Sequence, residues 1–282
     1  PREYSSAASD VYKRQIIKLY CPISEIYGIY PESFVFCLEI MRENDINLLR
    51  IYDIDGTITT PGHDLWHLTT RSLSSNPCRF DKHIELWKDS LRKGDGPYES
   101  SKVMMQKGIK CIDEDCRTKD IKKRARELSQ NIIQNRDYYL AAISHIKKSI
   151  DTGFDIVLST TNYYEGAEAF VEELVNHNLV STQHQSKIFV SGSIINWETR
   201  SILHFNMGKD KIVGISKTLG IPINELYRYA DSAYGDDPKG NDAGILSLVN
   251  RPFVIANKKN LDVSIPANMI RTSWENLLSN HF

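Results

Sequence analysis

Short apolar runs alternate with helical patterns along most of the chain. The apolar runs predict five β-strands, at residues 47–53, 154–159, 187–191, 226–231 and 252–256. Apolar residues at helical spacing predict helices at 33–44, 137–152, 166–176 and 209–219. Strands that alternate with helices are typical of βαβ units, whose strands lie parallel in one sheet. We therefore predict an α/β protein with a Rossmann-like parallel sheet as its core.

A long polar segment separates the first two predicted strands. From about residue 61 to residue 135 the pattern is mainly helical, and a segment of this length is too long for a loop. We interpret residues 63–135 as an inserted helical cap domain. Residues 48–62 and 136–282 would then form the core domain, and residues 16–47 an N-terminal extension.

The first fifteen residues differ from the rest of the chain. They read PREYSSAASDVYKRQ, lack hydrophobic periodicity and are followed at once by the apolar pair Ile16-Ile17. Residues 5–15 resemble the translation of a widely used transposase sequencing adapter. We interpret residues 1–15 as a non-native, adapter-derived segment and exclude them from the fold prediction.

Composition and charge exclude several classes of function. The chain has 282 residues, of which 41% are hydrophobic and 25% charged, as in ordinary globular proteins. Its 35 basic and 36 acidic residues nearly cancel, which removes the electrostatic case for nucleic acid or an anionic membrane as a partner. Five cysteines without a CxxC pair favour a reducing compartment, and no apolar run is long enough to span a bilayer. We therefore expect a cytoplasmic protein with neither a nucleic acid nor a membrane as partner.

Two carboxylates follow the first predicted strand in the segment DIDGT, residues 53–57. Ligands of open α/β sheets bind at the carboxyl ends of the strands, where Asp53 is expected. At this position Asp53 is suited to act as a nucleophile and Asp55 as a general acid and base. The glycine that follows lets the backbone turn sharply. The alternative is an ordinary strand that ends in an Asp-Gly turn.

Three further polar segments follow predicted strands or begin a helix. Hydroxyl residues end the second strand, two lysines follow a glycine at the start of a helix, and acidic residues follow the fourth strand. The candidates are Ser159, Thr160, Lys209, Lys211, Asp231, Asp236, Asp237 and Asp242. Hydroxyl and ammonium groups can bind phosphate oxygens, and clustered carboxylates suit Mg²⁺. Taken singly, each segment has an ordinary alternative as a helix cap, a surface lysine pair or an acidic surface loop.

In this order the four segments resemble the motifs of the haloacid dehalogenase superfamily of phosphohydrolases. The matching patterns are DxDGT at 53–57, a hydroxyl residue after an apolar strand at 159, GxxK at 208–211, and an apolar strand followed by acids at 226–242. The helical insert and residues 246–255 resemble the phosphoserine-phosphatase-like subgroup. The glutamate that phosphoserine phosphatase has soon after its first motif is absent here, which puts phosphoserine in doubt as the substrate.

The resemblance implies a role for each matching residue. Asp53 would form an aspartyl-phosphate and bind Mg²⁺, while Asp55 would act as general acid and base with its backbone carbonyl on the metal. The phosphoryl group would be held by Lys211 and by Ser159, with Thr160 as the fallback. Asp231 and Asp236 would complete the metal site. The family places its second acid four residues after the first, where this chain has Gly235, and Asp236 lies one residue further. Counting back from Leu246 and Pro252 points instead to Asp242, which is the alternative to Asp236.

The implied function is a Mg²⁺-dependent phosphatase that hydrolyses a phosphomonoester. Its partner would be a small phosphorylated metabolite or a phosphorylated protein side chain. One alternative is a phosphotransferase with the same chemistry, and another is a non-catalytic phosphoacceptor or phosphate-binding domain. Receiver-type phosphoacceptor domains lack a second carboxylate equivalent to Asp55 and lack a large insert, which favours an enzyme.

Overall fold

The computed structural model describes residues 47–279. The predicted helix at 33–44 and the interpretation of residues 1–15 lie outside the described residues, as does the N-terminal extension apart from its last residue, 47. No helix in the described range is both long and apolar enough to cross a bilayer.

Seven strands and eleven helices lie within residues 47–279. The strands are β1 (Leu49–Tyr52), β2 (Asp155–Tyr163), β3 (Ile188–Asn196), β4 (Ser201–His204), β5 (Ala230–Gly235), β6 (Arg251–Ile255) and β7 (Ile270–Thr272). The helices of the first half are α1 (Leu65–Ser72), α2 (Pro77–Arg92), α3 (Pro97–Ile109), α4 (Thr118–Gln134) and α5 (Leu140–Asp151). The remaining helices are α6 (Tyr164–Asn176), α7 (Thr182–Gln185), α8 (Asp210–Leu219), α9 (Ile223–Leu226), α10 (Ala243–Leu248) and α11 (Trp274–Ser279).

The strands form one sheet in the order β4-β3-β2-β1-β5-β6-β7. All neighbouring strands are parallel except β3 and β4, which are antiparallel. In the centre of the sheet Tyr52 lies beside Leu158 of β2 and beside Tyr234 of β5. Asp53, Ser159 and Gly235, each one residue further along its strand, therefore lie at the same level near the carboxyl edge of the sheet, although β2 continues to Tyr163. The predicted α/β fold with a parallel sheet is confirmed.

The predicted strand at 226–231 is wrong. Leu226 ends the short helix α9, and the strand at this place in the sheet runs over Ala230–Gly235. Its sequence, ADSAYG, contains two polar residues and a terminal glycine, so no continuous apolar run marks it. The strand is nevertheless largely buried because it lies between β1 and β6. The edge strands β4 and β7 were not predicted, since they are short and lie partly or largely exposed.

Helices α1 to α4 lie between β1 and β2 and share a second hydrophobic cluster with the neighbouring part of the sheet domain. The cluster includes Trp66, Phe80 and Met105 from these helices, and Tyr163 and Phe205 from the remainder of the chain. Side chains from α4 also form ion pairs with helix α6. They are Lys122 with Glu168 and Glu172, and Arg126 with Glu172 and Glu173. The helical insert is thus packed on the sheet-bearing part, and its interpretation as a cap domain at 63–135 stays a prediction.

A buried histidine, His145 on α5, packs against the larger hydrophobic cluster, with ring contacts to Tyr52, Tyr234 and Trp274. Its Nδ1 lies 2.9 Å from the hydroxyl oxygen of Tyr52. Burial, reinforced by the charges of Arg50 and Lys148, lowers the pKa of His145 to about 3. The imidazole of His145 is therefore neutral in the folded protein at neutral and mildly acidic pH.

We expect this histidine to make the protein less stable in mild acid. The unfolded chain binds a proton at His145 once the pH falls below about 6.5, whereas the folded chain does not until about pH 3. This group should lower the free energy of unfolding by up to about 1.4 kcal/mol per pH unit between those values. Urea unfolding at pH 7 and at pH 5 measures the loss. His145→Gln should show a smaller loss than the unaltered protein, and an equal loss would contradict the assignment.

Candidate active site

The candidate site lies at the carboxyl edge of the sheet, where β1 and β5 end beside Ser159 and Thr160, which lie within the longer strand β2. Asp53 directly follows β1, and its backbone N–H donates to the carbonyl of Tyr234 in β5 at 2.9 Å. This bond continues the pairing of the two strands by one residue and holds the carboxylate at the strand end. The side chain is fully buried. The backbone of Asp53 is therefore held in place by strand pairing, independently of its side-chain contacts.

Lys211 connects two of the predicted acids. It is the second residue of α8 and is fully buried, with Nζ 2.7 Å from Oδ1 of Asp53 and 2.6 Å from Oδ1 of Asp242. Burial alone would lower the pKa of Lys211, but the carboxylates of Asp242 and Asp53 raise it above its ordinary value. The lysine is a permanent cation in the site. Lys209, the other lysine of this segment, is the residue before α8 and is not buried.

Three carboxylates converge beside this lysine. Oxygen atoms of Asp53, Asp236 and Asp242 lie within 4.8 Å of one another. The second oxygen of Asp53, Oδ2, is buried and has no hydrogen-bond partner among residues 47–279. Burial, followed by the charge of Asp242, raises the pKa of Asp53 well above its ordinary value and that of Asp236 to about 7.

The charges of this cluster do not balance by themselves. With all three carboxylates ionised, the single ammonium of Lys211 would leave two negative charges in a largely buried space, and this repulsion contributes to the raised pKa of Asp53 and Asp236. Uncompensated buried charge is costly, so a divalent cation would stabilise the arrangement. Carboxylate oxygens are the donors that Mg²⁺ prefers. The residues present thus fit a Mg²⁺ ion.

The loop after β5 brings Asp236 and Asp242 together although they are six residues apart. Oδ2 of Asp242 accepts the backbone N–H groups of Asp236 at 2.9 Å and of Asp237 at 3.0 Å. Asp237 in turn accepts the N–H groups of Gly240 at 3.1 Å and of Asn241 at 2.8 Å. These hydrogen bonds hold residues 236–242 in a compact turn. Asp236 and Asp242, which are alternatives in the sequence pattern, both belong to the cluster.

The prediction that Asp231 is a metal ligand is wrong. Asp231 is the second residue of β5, so it lies at the amino edge of the sheet, five strand residues or roughly 16 Å from Asp236. Its carboxylate pairs with Arg251 and lies 3.6 Å from Nε of Arg50. The error follows from the misplaced strand, because a strand ending at residue 231 would have put this side chain at the opposite edge. Gly235-Asp236 after Ala233-Tyr234 is the signal that marks the true strand end.

Asp55 lies on the turn that follows Asp53. Gly56 has a φ of 87°, in the left-handed region that glycine adopts readily. Oδ2 of Asp55 accepts a hydrogen bond from the Thr160 hydroxyl at 2.9 Å, and Oδ1 accepts the backbone N–H of Leu65 at 3.4 Å. Burial raises the pKa of Asp55 to about 6, although both hydrogen bonds act to lower it. A carboxyl with this pKa can donate and accept protons near neutral pH.

Ser159 and Thr160 differ in what their hydroxyl groups can still do. Thr160 donates to Asp55 and accepts the backbone N–H of Asn162 at 3.1 Å, so its proton is already used. Ser159 accepts from Nδ2 of Asn206 at 3.4 Å, which leaves its proton free to donate to a ligand. The hydrogen bonds thus favour Ser159 for an incoming anion and associate Thr160 with Asp55.

Two asparagines that no sequence motif predicted contact residues of the site. Asn206 is fully buried, and its Nδ2 donates to the backbone carbonyls of Thr160 at 2.7 Å and Ser191 at 3.0 Å. Asn257, in the loop after β6, donates from Nδ2 to Oδ2 of Asp236 at 2.7 Å. Their positions just before Gly208 and just after an apolar strand were visible in the sequence. Nothing there indicated which carbonyl or carboxylate they contact.

Comparisons with known proteins support the fold. No protein-family model and no curated protein matches the sequence. Among solved structures, a protein of unknown function from Bordetella pertussis Tohama I is similar, with a TM-score of 0.57 and 12% identity over 82% of this chain and 100% of that chain. A phosphoserine phosphohydrolase-like protein from Francisella tularensis subsp. tularensis SCHU S4 has a TM-score of 0.51 and 16% identity, over 83% of this chain and 99% of that one.

A third structure, of phosphoserine phosphatase with an analogue of its phospho-aspartyl intermediate, has a TM-score of 0.49 at 13% identity and covers 83% of this chain and 99% of its own. At identities this low the similarity concerns the fold. The described part of this chain therefore shares its fold with the Bordetella pertussis and Francisella tularensis structures.

Proposed function

We propose that this protein is a Mg²⁺-dependent phosphohydrolase that cleaves phosphomonoesters through an aspartyl-phosphate on Asp53. The observation that supports this most directly is the pairing of Lys211 with Asp53 and Asp242 beside an unpartnered oxygen of Asp53. A nucleophile and fixed positive charge at the same point are what phosphoryl transfer requires of a protein.

Mg²⁺ would be held by Asp53, Asp236 and Asp242, together with the backbone carbonyl of Asp55 that the family resemblance implies. When bound, the ion neutralises charge between the anionic substrate and the carboxylates. The ammonium group of Lys211 likewise offsets negative charge of the substrate and the carboxylates. An opposite charge at about 4 Å is worth on the order of 4 kcal/mol at an effective dielectric constant of about 20.

The side chains then divide the reaction into two steps. Lys211 and Ser159 bind the phosphoryl oxygens while Asp53 attacks phosphorus, and the bond from phosphorus to the leaving oxygen breaks. Asp55 gives its proton to that oxygen, so an alcohol departs. In the second step Asp55 takes a proton from water as the water attacks phosphorus. Inorganic phosphate leaves and Asp53 is regenerated.

The substrate would be a small phosphorylated metabolite or a phosphorylated protein side chain, met in the cytoplasm. The described cysteines, Cys78, Cys111 and Cys116, are free thiols, which supports a reducing compartment. A phosphate-release screen over phosphometabolites, phosphoserine and phosphopeptides tests the class of substrate. Phosphoserine is included because the similar Francisella tularensis protein is described as phosphoserine phosphohydrolase-like. Release of alcohol in excess of phosphate would identify transfer to an acceptor other than water.

We expect chelation to abolish hydrolysis of p-nitrophenyl phosphate and Mg²⁺ to restore it. Without the ion, a phosphate must approach a cluster of three carboxylates whose ionised form is offset by one ammonium only. Calcium should restore activity poorly, because its larger and looser coordination shell misplaces the nucleophile. Full activity in excess chelator would refute the metal assignment.

The two candidate acids of the loop and the strand provide a matched pair for this experiment. Asp236→Asn should raise the Mg²⁺ concentration needed for half-maximal activity. Asp231→Asn should leave it unchanged, since Asp231 lies at the other edge of the sheet with Arg50 and Arg251. An equal effect of both substitutions would mean that the metal site has been placed wrongly.

A further inference from the structure

A turn after β6 contacts the acidic cluster from outside the segments that carry the proposed chemistry. Its two asparagines, Asn257 and Asn260, are buried. The turn is held by its own hydrogen bonds: the backbone N–H of Asn257 donates to Oδ1 of Asn260 at 3.0 Å, and that of Lys259 donates to Oδ1 of Asn257 at 2.8 Å. We refer to residues 257–260 as the asparagine turn. Its internal bonds fix the orientation of both carboxamide groups.

Both carboxamide nitrogens of the asparagine turn contact Asp236. Nδ2 of Asn257 donates to Oδ2 of Asp236 at 2.7 Å and to the carbonyl of Gly56 at 3.1 Å. Nδ2 of Asn260 donates to the backbone carbonyl of Asp236 at 2.9 Å and to that of Ile255 at 2.8 Å. Asp236 is therefore held at its carboxylate and at its backbone by two different residues.

Asn257 also connects the two loops that carry the carboxylates. One of its bonds reaches Gly56, in the loop of Asp53 and Asp55, and the other reaches Asp236. The loops are so close here that a Cβ on Gly56 would lie 2.5 Å from Oδ2 of Asp236. A carboxamide is the side chain that suits this position, because its two N–H groups satisfy both acceptors at once.

The hydrogen-bond donor to the Asp236 carboxylate is an uncharged carboxamide, and this affects the net charge of the site. A carboxamide orients the carboxylate of Asp236 without cancelling its charge, whereas a lysine or arginine would neutralise it. Asn257 therefore leaves the carboxylate of Asp236 able to contribute its charge to a divalent cation.

We propose that Asn257 is a positioning residue for the Mg²⁺ site and acts by holding the Asp236 carboxylate toward Asp53 and Asp242. This inference rests on the metal site of the proposed function. Hydrogen-bonded partners of metal ligands commonly set metal affinity, and their loss costs about 10- to 100-fold in binding. Asn260, by contrast, contacts backbone carbonyls and shapes the turn.

The experiment measures Mg²⁺ binding to the metal-free protein by titration calorimetry, without any substrate. Asn257→Leu keeps the size of the side chain and removes its donor, and Asn257→Ser is the second variant should the first fail to fold. Lys258→Ala, an exposed position in the same turn, is the matched control. We expect Mg²⁺ to bind about 10- to 100-fold more weakly to the Asn257 variants and unchanged to Lys258→Ala.

A second measurement separates positioning from a structural role. Activity on p-nitrophenyl phosphate at saturating Mg²⁺ should return to within a few-fold of the unaltered protein, because only the affinity for the ion has changed. Variants with a lower unfolding temperature but unaltered Mg²⁺ affinity would overturn the proposal. So would a loss of activity that saturating Mg²⁺ does not restore.

The outcomes for the unaltered protein keep the two proposals apart. If it binds Mg²⁺ but hydrolyses no phosphomonoester, the proposed function fails and the calorimetric test of Asn257 still decides this inference. If it binds no Mg²⁺, both are overturned.

Discussion

Asp53→Asn is expected to abolish hydrolysis of every phosphomonoester. The amide lacks the nucleophilic carboxylate, so no aspartyl-phosphate can form. It preserves the size of the side chain, and its oxygen can still accept the hydrogen bond that Lys211 donates at 2.7 Å. The loss in kcat should be about 10⁴- to 10⁶-fold, as for other enzymes that lose a covalent nucleophile. Turnover of p-nitrophenyl phosphate at saturating Mg²⁺ provides the measurement.

The control for this variant is the integrity of its fold. Asp53 is fully buried and its charge lies against Lys211, so the substitution removes one partner of a buried ion pair. The far-ultraviolet circular dichroism spectrum and the unfolding midpoint should therefore be recorded with the kinetics. A folded Asp53→Asn protein that retains more than about one hundredth of the activity would show that Asp53 is not the nucleophile, given the loss expected.

Asp55→Asn is expected to separate substrates by their leaving groups. Asp55 lies on the turn after Asp53, with its carboxylate bonded to Thr160 and to the backbone of Leu65. Its replacement leaves the nucleophile in place but removes the proton that an alkoxide needs to depart. Nitrophenolate is a much better leaving group and needs that proton far less. Alkyl phosphates should lose about 10²- to 10⁴-fold in kcat, and p-nitrophenyl phosphate should lose much less in its first step.

The same substitution should also trap the covalent intermediate. Without Asp55 no side chain activates the water that hydrolyses the aspartyl-phosphate, so the second step becomes slow. Stopped-flow measurements should show a burst of nitrophenol of about one equivalent per site, followed by slow turnover. Equal losses on aryl and alkyl substrates, with no burst and no trapped acyl-phosphate, would assign Asp55 a different role.

The properties that depend on short stretches of chain could be predicted from the sequence. The alternation of apolar runs and helical patterns predicted the α/β fold with a parallel sheet. The segment 53–57 contains a strand end, two carboxylates and a glycine, and in the structure it forms a strand end and a glycine-dependent turn. The interval from Gly208 to Lys211 is likewise local, because it begins a helix that brings the lysine to Asp53. Such features depend on backbone preferences and spacing within a few residues.

The tertiary structure decided which acids share the site. Asp231, Asp236 and Asp242 all lie near a predicted strand end, and the sequence pattern could not reveal that β5 starts at Ala230 because burial between β1 and β6 determines that strand. Because β5 ends at Gly235 and not at residue 231, Asp231 lies at the opposite edge of the sheet and Asp236 lies beside Asp53.

The same holds for residues whose role depends on a partner distant in sequence. Ser159 and Thr160 are neighbours with equivalent chemistry, and only their contacts with Asn206 and Asp55 distinguish them. Asn257 reaches Gly56 across 201 residues of chain, with no motif to mark it. The sequence by itself determined the fold class and the first carboxylate pair, because these arise from local backbone preferences and hydrophobic patterning. The composition of the carboxylate cluster and the orientation of its members were decided by the register of the sheet, by the turn after β5 and by contacts with distant residues such as Lys211 and Asn257, which exist only once the sheet has formed.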